Sequence, residues 1–390
     1  MNIVETALLK EGQKFSGDVF LEDDTLFLPA NVAVRKKDLE FVKSMGVAEL
    51  YTSGKIIDVV VNRKTSSNTQ NNASVVSEAK DAAQTAFSKV ENSQTNRKIE
   101  SFVKQLDGIF NAIKNHRVVN VRSLWQITAS LLQIIKTNRT DAINSFLGGT
   151  IEEYAMAKNS VNVAILAAVI GEDLEFAVQK IPELVAGALL HDVGMLRLPS
   201  EIVHKKSALS VEDAQLIASH PVLSYKIIKN ELLYPHSVCQ IALQHHERWD
   251  GTGYPSRLKG NNIDKGALIV SITDAFEAMV CEKPYRNSMI GYEAMKTLVS
   301  ENAAHFSPDM LKAFVKVMGI YPIGSGVQLN DGSIARVVEI HSDIPLRPVI
   351  QILLDGNGTE VTKDIIIDLL TNKDRFITRA MDIRGMAKRF

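Results

Sequence analysis

Six side chains able to bind a metal recur in the C-terminal half of the chain at nearly even spacing. They form a His-Asp pair, a single histidine, a His-His pair and a later aspartate: His191, Asp192, His220, His245, His246 and Asp274. The separations are 28 residues (192 to 220), 25 (220 to 245) and 28 (246 to 274), each about one helix plus a connection. Imidazoles combined with carboxylates suit Fe, Mn or Zn, and such a metal generates hydroxide near neutral pH. The spacing therefore predicts a hydrolytic metal centre.

An all-helical bundle would bring these side chains together. Residues 98–320 show the apolar periodicity of helices, with no strand-rich run. Pro182 is placed to open one helix, and Ser210 with Asp213 resembles a capping box for a helix leading toward His220. Bundles build metal sites from facing helices, and an aspartate between two ions can bridge them. Two ions about 3.5–4 Å apart would clamp a phosphate oxygen for in-line attack.

The remaining histidines carry no such grouping. A lone histidine is more often a surface or core residue than a ligand. We therefore do not expect metal binding from five of them, namely His116, His204, His236, His305 and His341.

The chain divides into four segments by composition. Residues 1–62 predict a small α/β module, and residues 63–97 are polar enough to predict a linker or a disordered segment. Residues 98–320 predict the helical domain, and residues 321–390 a β-rich extension with a hairpin signal at 330–332. The predicted fold class is therefore mainly α, with a small module at each end.

Composition is that of an ordinary soluble globular protein. The 390 residues are 45 % apolar and 23 % charged, with a formal net charge of −1. This charge gives no indication of a nucleic-acid polymer as partner. Cys239 and Cys281 provide no disulfide framework, and the N-terminus lacks the features of a signal peptide. We expect a cytoplasmic protein without membrane insertion.

At this point the motifs resemble those of the HD-GYP family, a branch of the HD metal-dependent phosphohydrolases. The segment ALLHDVGMLRLP resembles its helix-ending His-Asp signature, and HHERWDGTGYP carries the namesake Gly253, Tyr254 and Pro255. LSVEDAQLIASHP and VSITDAFEAMVCEKPYR resemble the segments with the next histidine and the last aspartate. The match runs from about 150 to 320. The first 60 residues and the segment from 321 resemble modules often fused to this domain.

The resemblance implies an HD-type helical bundle that hydrolyses cyclic di-GMP, a bacterial second messenger. A metal-bound hydroxide opens one phosphodiester to give linear pGpG, and the reaction often continues to GMP. Two divalent ions, iron or manganese, would be held by the six residues above, with Asp192 as the catalytic residue that bridges them. Tyr254, Lys283 and Arg286 would contact the substrate, the two cations through its phosphates.

The sequence departs from the family pattern at three positions. The family's first helix supplies another histidine, often with a glutamate one turn earlier; here the positions hold Asn159 and Ala155. An amide oxygen is a weaker ligand than imidazole for these metals, so a three-metal centre is not expected. The family lysine three residues after the aspartate is Met195, and losing one such donor costs about 10²–10³ in rate.

These departures leave alternatives beside the enzyme. One is a degenerate domain that acts as a cyclic di-GMP receptor or protein-interaction module without turnover. Another is a phosphohydrolase acting on a different nucleotide, against which the Gly-Tyr-Pro loop argues. Beyond cyclic di-GMP, signalling proteins and a second copy of the chain are candidate partners.

Overall fold

The computed structural model describes residues 2–6, 9–21, 26–28, 34, 38–39, 42, 47, 49–57, 94–147, 155–205, 207–281, 289–301, 303–361, 363–381 and 383. Two compact units can be distinguished. One is helical and comprises Ala86–Met289 and Ala304–Val317; the other comprises Met1–Thr85, Ile290–Ala303 and Met318–Phe390. Residues 290–303, which the sequence placed within the helical domain, thus group with the terminal segments. Of the predicted linker, residues 63–93 lie outside the described part of the chain, whereas 94–97 are helical.

The helical unit contains a series of helices connected by short turns. In chain order they are α1 (Gln94–Lys114), α2 (Val121–Thr137), α3 (Arg139–Leu147), α4 (Ala155–Asp173), α5 (Ile181–Leu190), α6 (Ser200–Val203), α7 (Val211–Ile217), α8 (His220–Lys226), α9 (His236–Gln244), α10 (Lys265–Val280) and α12 (Pro308–Met318). Helix α11 (Gly291–Lys296), which comes between α10 and α12 in the chain, belongs to the other unit. Local signals set several of these bounds. Pro182 lies in the first turn of α5, and Ser210 and Asp213 form the predicted capping box before α7, with both bonds at 3.1 Å.

Helix α4 forms the centre of the bundle. Residues 159–171 include no charged side chain and are all buried, as expected of a helix that is apolar on every face. It packs against α1, α5 and α10. The approach to α5 is close, since a Cβ on Gly171 would lie 2.7 Å from a methyl carbon of Leu184. Each large aliphatic side chain buried here contributes about 1.5–3 kcal/mol, so the packing of α5 and α10 on α4 is strongly stabilised.

The N-terminal part of the other unit is a small antiparallel β structure. Its strands are β1 (Asn2–Glu5), β2 (Lys14–Phe15), β3 (Val19–Phe20), β4 (Leu26–Leu28), β5 (Glu49–Thr52) and β6 (Ile56–Ile57), in a sheet of order β1-β5-β3-β4 and a separate β2-β6 pair. Phe15, Val19 and Leu50 are central to its core. The helical part of the predicted α/β module, which the sequence indicates at residues 37–44, falls mostly outside the described residues.

The C-terminal part is a five-stranded antiparallel sheet. Its strands are β7 (Gly326–Leu329), β8 (Ile334–Glu339), β9 (Val349–Leu354), β10 (Ile366–Asp368) and β11 (Ile377–Met381), in the order β10-β9-β8-β7-β11. The predicted hairpin at 330–332 is present between β7 and β8, where Gly332 has φ +87, a backbone conformation that favours glycine. The mainly α fold class with small β modules at both ends is confirmed. Among the described helices, none combines the length and apolarity needed to cross a membrane.

Candidate metal centre

Three histidines of the helical unit are oriented by the same kind of hydrogen bond. Each ring Nδ1 lies within hydrogen-bond distance of the backbone carbonyl three residues earlier. The pairs are His191 with Ala188 (2.7 Å), His220 with Ile217 (2.8 Å) and His245 with Ala242 (2.8 Å). Because a carbonyl only accepts, Nδ1 carries a proton, and Nε2 is the nitrogen that can bind a metal. Metal-binding histidines are oriented in this way, so the Nε2 atoms of these three histidines are available to bind a metal.

Asp192 lies between these donors and uses both of its oxygens. Its Oδ1 is 3.0 Å from Nε2 of His220 and 3.5 Å from Nε2 of His245. Its Oδ2 is 3.6 Å from Nε2 of His191. With His246 added, one donor atom each from Asp192, His220, His245 and His246 falls within 4.8 Å of the others. This imidazole-rich group (the histidine-rich set) has the composition of a divalent metal site.

A second group of donors adjoins the first through Asp192. Asp274 on α10 places Oδ1 3.7 Å from Nε2 of His191. That Nε2 is fully buried and has no hydrogen-bond partner among the described residues. A cation held between His191, Asp192 and Asp274 would take the place of the proton that this ring carries in the metal-free protein, where its pKa is about 9. All six sequence-predicted ligands are thus brought to one place.

A close backbone contact holds Asp192 against His220. Asp192 precedes a short 3₁₀ turn over Val193–Arg197 that packs on the start of α8. The amide of Gly194 donates to Oγ of Ser224 at 2.8 Å. A Cβ at position 194 would lie 2.1 Å from the carbonyl oxygen of His220, so the contact requires glycine. This contact sets the 3.0 Å distance between the two predicted ligands.

The Gly-Tyr-Pro loop is anchored by a buried carboxylate. Glu247 is 1 % exposed, and its oxygens accept from the backbone amides of Ser256 at 2.6 Å and Leu258 at 2.9 Å. Gly253 lies so close that a Cβ would be 2.5 Å from the carbonyl oxygen of His246. The loop thereby folds back onto the metal-binding segment and brings Tyr254 to the ring of His246.

The charges of the site follow from its burial. Burial opposes a charge on the His191 ring, but Asp192 and Asp274 outweigh it and raise its pKa to about 9. Burial likewise opposes ionisation of the two carboxyls, yet neighbouring histidines lower the pKa of each. Desolvation lowers the pKa of His245 and His246. The carboxylates are therefore ionised, and these two imidazoles neutral, as metal ligation requires.

The departures from the family pattern have distinct surroundings. Asn159 is buried on α4, with Nδ2 3.4 Å from Oδ1 of Asp274, so this helix does face the centre. Ala155 is exposed at the start of α4 and offers no donor. Met195 is half-buried in the 3₁₀ turn, its amide donating to the carbonyl of Asp192 at 2.9 Å. Lys283 and Arg286, the predicted phosphate contacts, lie outside the described residues.

The five histidines not expected to bind metal lie outside the histidine-rich set. His305 is 3.9 Å from Asp250, and His341 is 2.9 Å from Asp368. His116 is 3.3 Å from Arg197. None of these distances involves a member of the predicted ligand set.

Two carboxylates of the site did not emerge from the sequence. Glu247 lies within the long motif, directly after the predicted ligands His245 and His246. Glu277 is one helical turn after Asp274 on α10 and therefore shares its face. A charged residue on a helix face that is otherwise apolar was the available signal, because such residues are rarely buried without a purpose.

The chain is similar to known proteins over the residues that form this site. A family model described as an HD domain matches residues 146–310, and a KOW domain associated with the HD domain matches residues 326–389. A cyclic di-GMP phosphodiesterase of Borreliella burgdorferi is 34% identical over 206 residues, covering 53% of this chain and 54% of that protein. A cyclic di-GMP phosphodiesterase of Pseudomonas aeruginosa is 30% identical over 220 residues, covering 56% of this chain and 53% of that protein. Another from Thermotoga maritima is 32% identical over 161 residues, covering 41% of this chain and 44% of that protein.

The chain spans about half the length of the curated relatives it matches. The HD domain match over residues 146–310 includes the His-Asp pair, the later histidines and the Gly-Tyr-Pro segment. The HD domain over residues 146–310 and the motif at Gly253, Tyr254 and Pro255 support the assignment of this chain to the HD-GYP family.

Proposed function

We propose that the helical unit hydrolyses cyclic di-GMP to linear pGpG, and onward to GMP, with two divalent ions, iron or manganese. The observation that carries the proposal is the position of Asp192, with one oxygen toward His220 and the other toward His191. A carboxylate between two donor groups is suited to bridging two ions. Phosphodiester cleavage by such pairs of ions is a general mechanism, and the relatives matched are named cyclic di-GMP phosphodiesterases.

The residues of the chain have separate tasks in this scheme. His220, His245 and His246 would hold one ion with Asp192, and His191 and Asp274 would hold the other with the same aspartate. When bound, such ions activate water and polarise a phosphoryl oxygen. Tyr254, beside His246, would contact the substrate at the edge of the centre. Lys283 and Arg286 would bind its two phosphates by charge-assisted bonds.

The enzyme is favoured over the receptor without turnover. The receptor hypothesis was motivated by Ala155, Asn159 and Met195, but all six predicted ligands converge despite these changes. Orienting three imidazoles by separate hydrogen bonds serves metal binding. Protein partners and a homodimer stay predictions from the sequence.

The test combines metal content and turnover on one anaerobic preparation. We expect two metals per chain by elemental analysis, and pGpG or GMP released over many turnovers as measured by chromatography. Cyclic di-AMP and a mixed cyclic dinucleotide serve as competing substrates for assigning the nucleotide class. Metal-loaded protein that binds cyclic di-GMP and releases no product would contradict the proposal.

A further inference from the structure

Arg197 ends the 3₁₀ turn that begins beside Asp192, and its guanidinium joins that turn to two other helical segments. The turn comprises Val193–Arg197, and Asp192 is the residue that precedes it. The Arg197 side chain is only 15 % exposed, so most of this charged group is withdrawn from water. Because burying a charge is costly unless it is paired, the contacts of its two terminal nitrogens indicate what the residue does.

One terminal nitrogen binds the helical segment that begins with α8. This segment continues beyond α8 into a π-helical turn over Ile227–Glu231. Nη2 of Arg197 donates to both oxygens of the Glu231 carboxylate, at 3.0 and 2.8 Å. At the start of the same 3₁₀ turn, the amide of Gly194 donates to Oγ of Ser224. The turn is therefore fastened to this helical segment at two separate points.

The other terminal nitrogen binds the C-terminus of α1. Nη1 of Arg197 donates to the backbone carbonyl of Ile113 at 2.7 Å. It also lies 3.4 Å from the carbonyl oxygen of Lys114 and 3.3 Å from Nε2 of His116. The last carbonyls of a helix have no partner within the helix, and a cation at this end interacts favourably with the helix dipole. Arg197 thus satisfies the end of α1 while it holds the end of the segment that begins with α8.

These contacts depend on the shape of the guanidinium. Arginine presents its donors in a rigid planar fork, whereas the ammonium of lysine is a single point charge. Only the fork reaches α1 with one nitrogen and Glu231 with the other at the same time. An exposed ion pair alone contributes little to stability, and Glu231 is 46 % exposed. The significance of Arg197 therefore lies in the three elements that it joins.

A role in binding the substrate is the competing interpretation of this cation. Arg197 lies two residues after Met195, which stands where the family has a lysine. However, both terminal nitrogens of Arg197 are engaged, one with α1 and the other with Glu231. The contacts therefore favour a role in holding the turn. The two roles also differ experimentally, because the loss of a phosphate contact would leave metal affinity unchanged.

We propose that Arg197 is a positioning residue for the metal centre. By holding the 3₁₀ turn between the end of α1 and residues 220–231, it keeps Oδ1 of Asp192 3.0 Å from Nε2 of His220, where the two atoms can bind one ion together. This rests on the metal centre of the proposed function. The end of α1 is then part of the support of the centre, although α1 contains none of the predicted ligands.

Calorimetric titration of the metal-stripped full-length protein with ZnCl₂, and separately with MnCl₂, tests the proposal. We expect Arg197→Gln to lower the affinity for both metals about 10-fold, the lower end of the effect of losing a partner that orients a metal ligand. Arg197→Lys keeps the charge without the fork and should have a smaller effect. Glu231→Ala leaves the contact with α1 in place and should lower the affinity about 2–5-fold.

Two control variants separate positioning from a general loss of stability. Arg117→Gln removes an exposed arginine just after α1. Lys316→Gln breaks a 2.9 Å ion pair with Asp173 elsewhere in the helical unit. Urea unfolding of the metal-free protein measures the stability of every variant. We expect both controls to bind Zn²⁺ and Mn²⁺ with wild-type affinity, whatever their stability.

Several outcomes would overturn the proposal. They are wild-type metal affinity in folded Arg197→Gln, an equal loss of affinity in either control, and a wild type that binds neither metal. If Arg197→Gln fails to fold, Arg197→Lys and Glu231→Ala decide, because wild-type affinity in both would overturn the proposal as well. The titrations contain no nucleotide. If metal binding depends on Arg197 but cyclic di-GMP is left intact, only the phosphodiesterase proposal is contradicted.

Discussion

The ring of Tyr254 stacks on the ring of His246, with centroids 4.8 Å apart and planes inclined by 28°. The residue that names the family motif therefore contacts a predicted metal ligand directly. The stack connects the Gly-Tyr-Pro loop to the histidine-rich set. A substrate that displaces or reorients this loop would also affect the ligand beneath it.

We expect Tyr254→Ala and Tyr254→Phe to have different effects. Tyr254→Ala removes the stack, worth about 0.5–1.5 kcal/mol, and should loosen His246 and weaken metal binding several-fold. Tyr254→Phe keeps the ring and loses only the hydroxyl, so metal content should be unchanged while KM for cyclic di-GMP rises. Metal analysis and steady-state kinetics on both variants check this. Equal metal loss in both variants would contradict a role for the stack.

Glu247 should matter for the substrate and not for the metals. Its carboxylate holds two loop amides, and Glu247→Gln would turn an amide nitrogen toward one of them. Losing one such charged bond costs about 1.5–3 kcal/mol, which should release the loop. We expect a raised KM and faster proteolytic cleavage within 251–258, with the metal content unchanged.

Asp250→Asn is the matched control for Glu247→Gln. Its Oδ1 accepts from Thr252 within the same loop at 2.8 Å, and asparagine retains that oxygen. Little change is expected in KM or cleavage. If Asp250→Asn raises KM and proteolytic cleavage as much as Glu247→Gln does, the loop responds to any lost charge and Glu247 is not a specific anchor.

His246→Ala should remove one metal and any hydrolysis while leaving the helical circular dichroism signal largely unchanged. The reason is position: His246 is half-buried at the edge of the bundle and contributes to the histidine-rich set alone. Elemental analysis and circular dichroism on one sample measure both effects. An unaltered metal stoichiometry would show that His246 is not a ligand.

The sequence was sufficient to predict that the six candidate ligands lie close together, because each belongs to a long motif with a fixed spacing. His191 and Asp192 end an apolar helix, and His245 and His246 end another. Such pairs need only the local helix bounds to be placed correctly. The helical periodicity supplied those bounds, and Pro182 and Ser210 refined them.

The sequence could not show what depends on contacts between distant helices. Asn159 and Glu277 are 118 residues apart, and only the packing of α4 on α10 brings them together. The sequence described Asn159 as a lost histidine, whereas the packing gives its amide a fixed orientation. The grouping of residues 290–303 with the terminal segments likewise has no local signal, because the sequence pattern of a helix does not depend on the unit to which the helix belongs.

The metal-stripped protein should be most stable near pH 6.5. The folded-state pKa of His191 is raised from 6.5 to about 9, so the folded protein binds this proton more tightly than the unfolded chain does. The resulting stability is complete below pH 6.5 and is lost as pH rises toward 9, by about 3 kcal/mol. The lowered pKa values of His245 and His246 act oppositely. They reduce stability as pH falls below 6.5, since the unfolded chain then takes up those protons.

Urea unfolding of chelator-treated protein between pH 5.5 and 9.5 measures this profile, and His191→Gln is its control. The variant should lose the decline above pH 6.5 and keep the decline below it. Loading the wild type with Mn²⁺ should also abolish the alkaline decline, because a cation then occupies the place of the proton at Nε2. An alkaline decline of equal size in wild type and His191→Gln would mean that another group titrates there. The burial of His191 between Asp192 and Asp274 would then not control the stability of the metal-free centre.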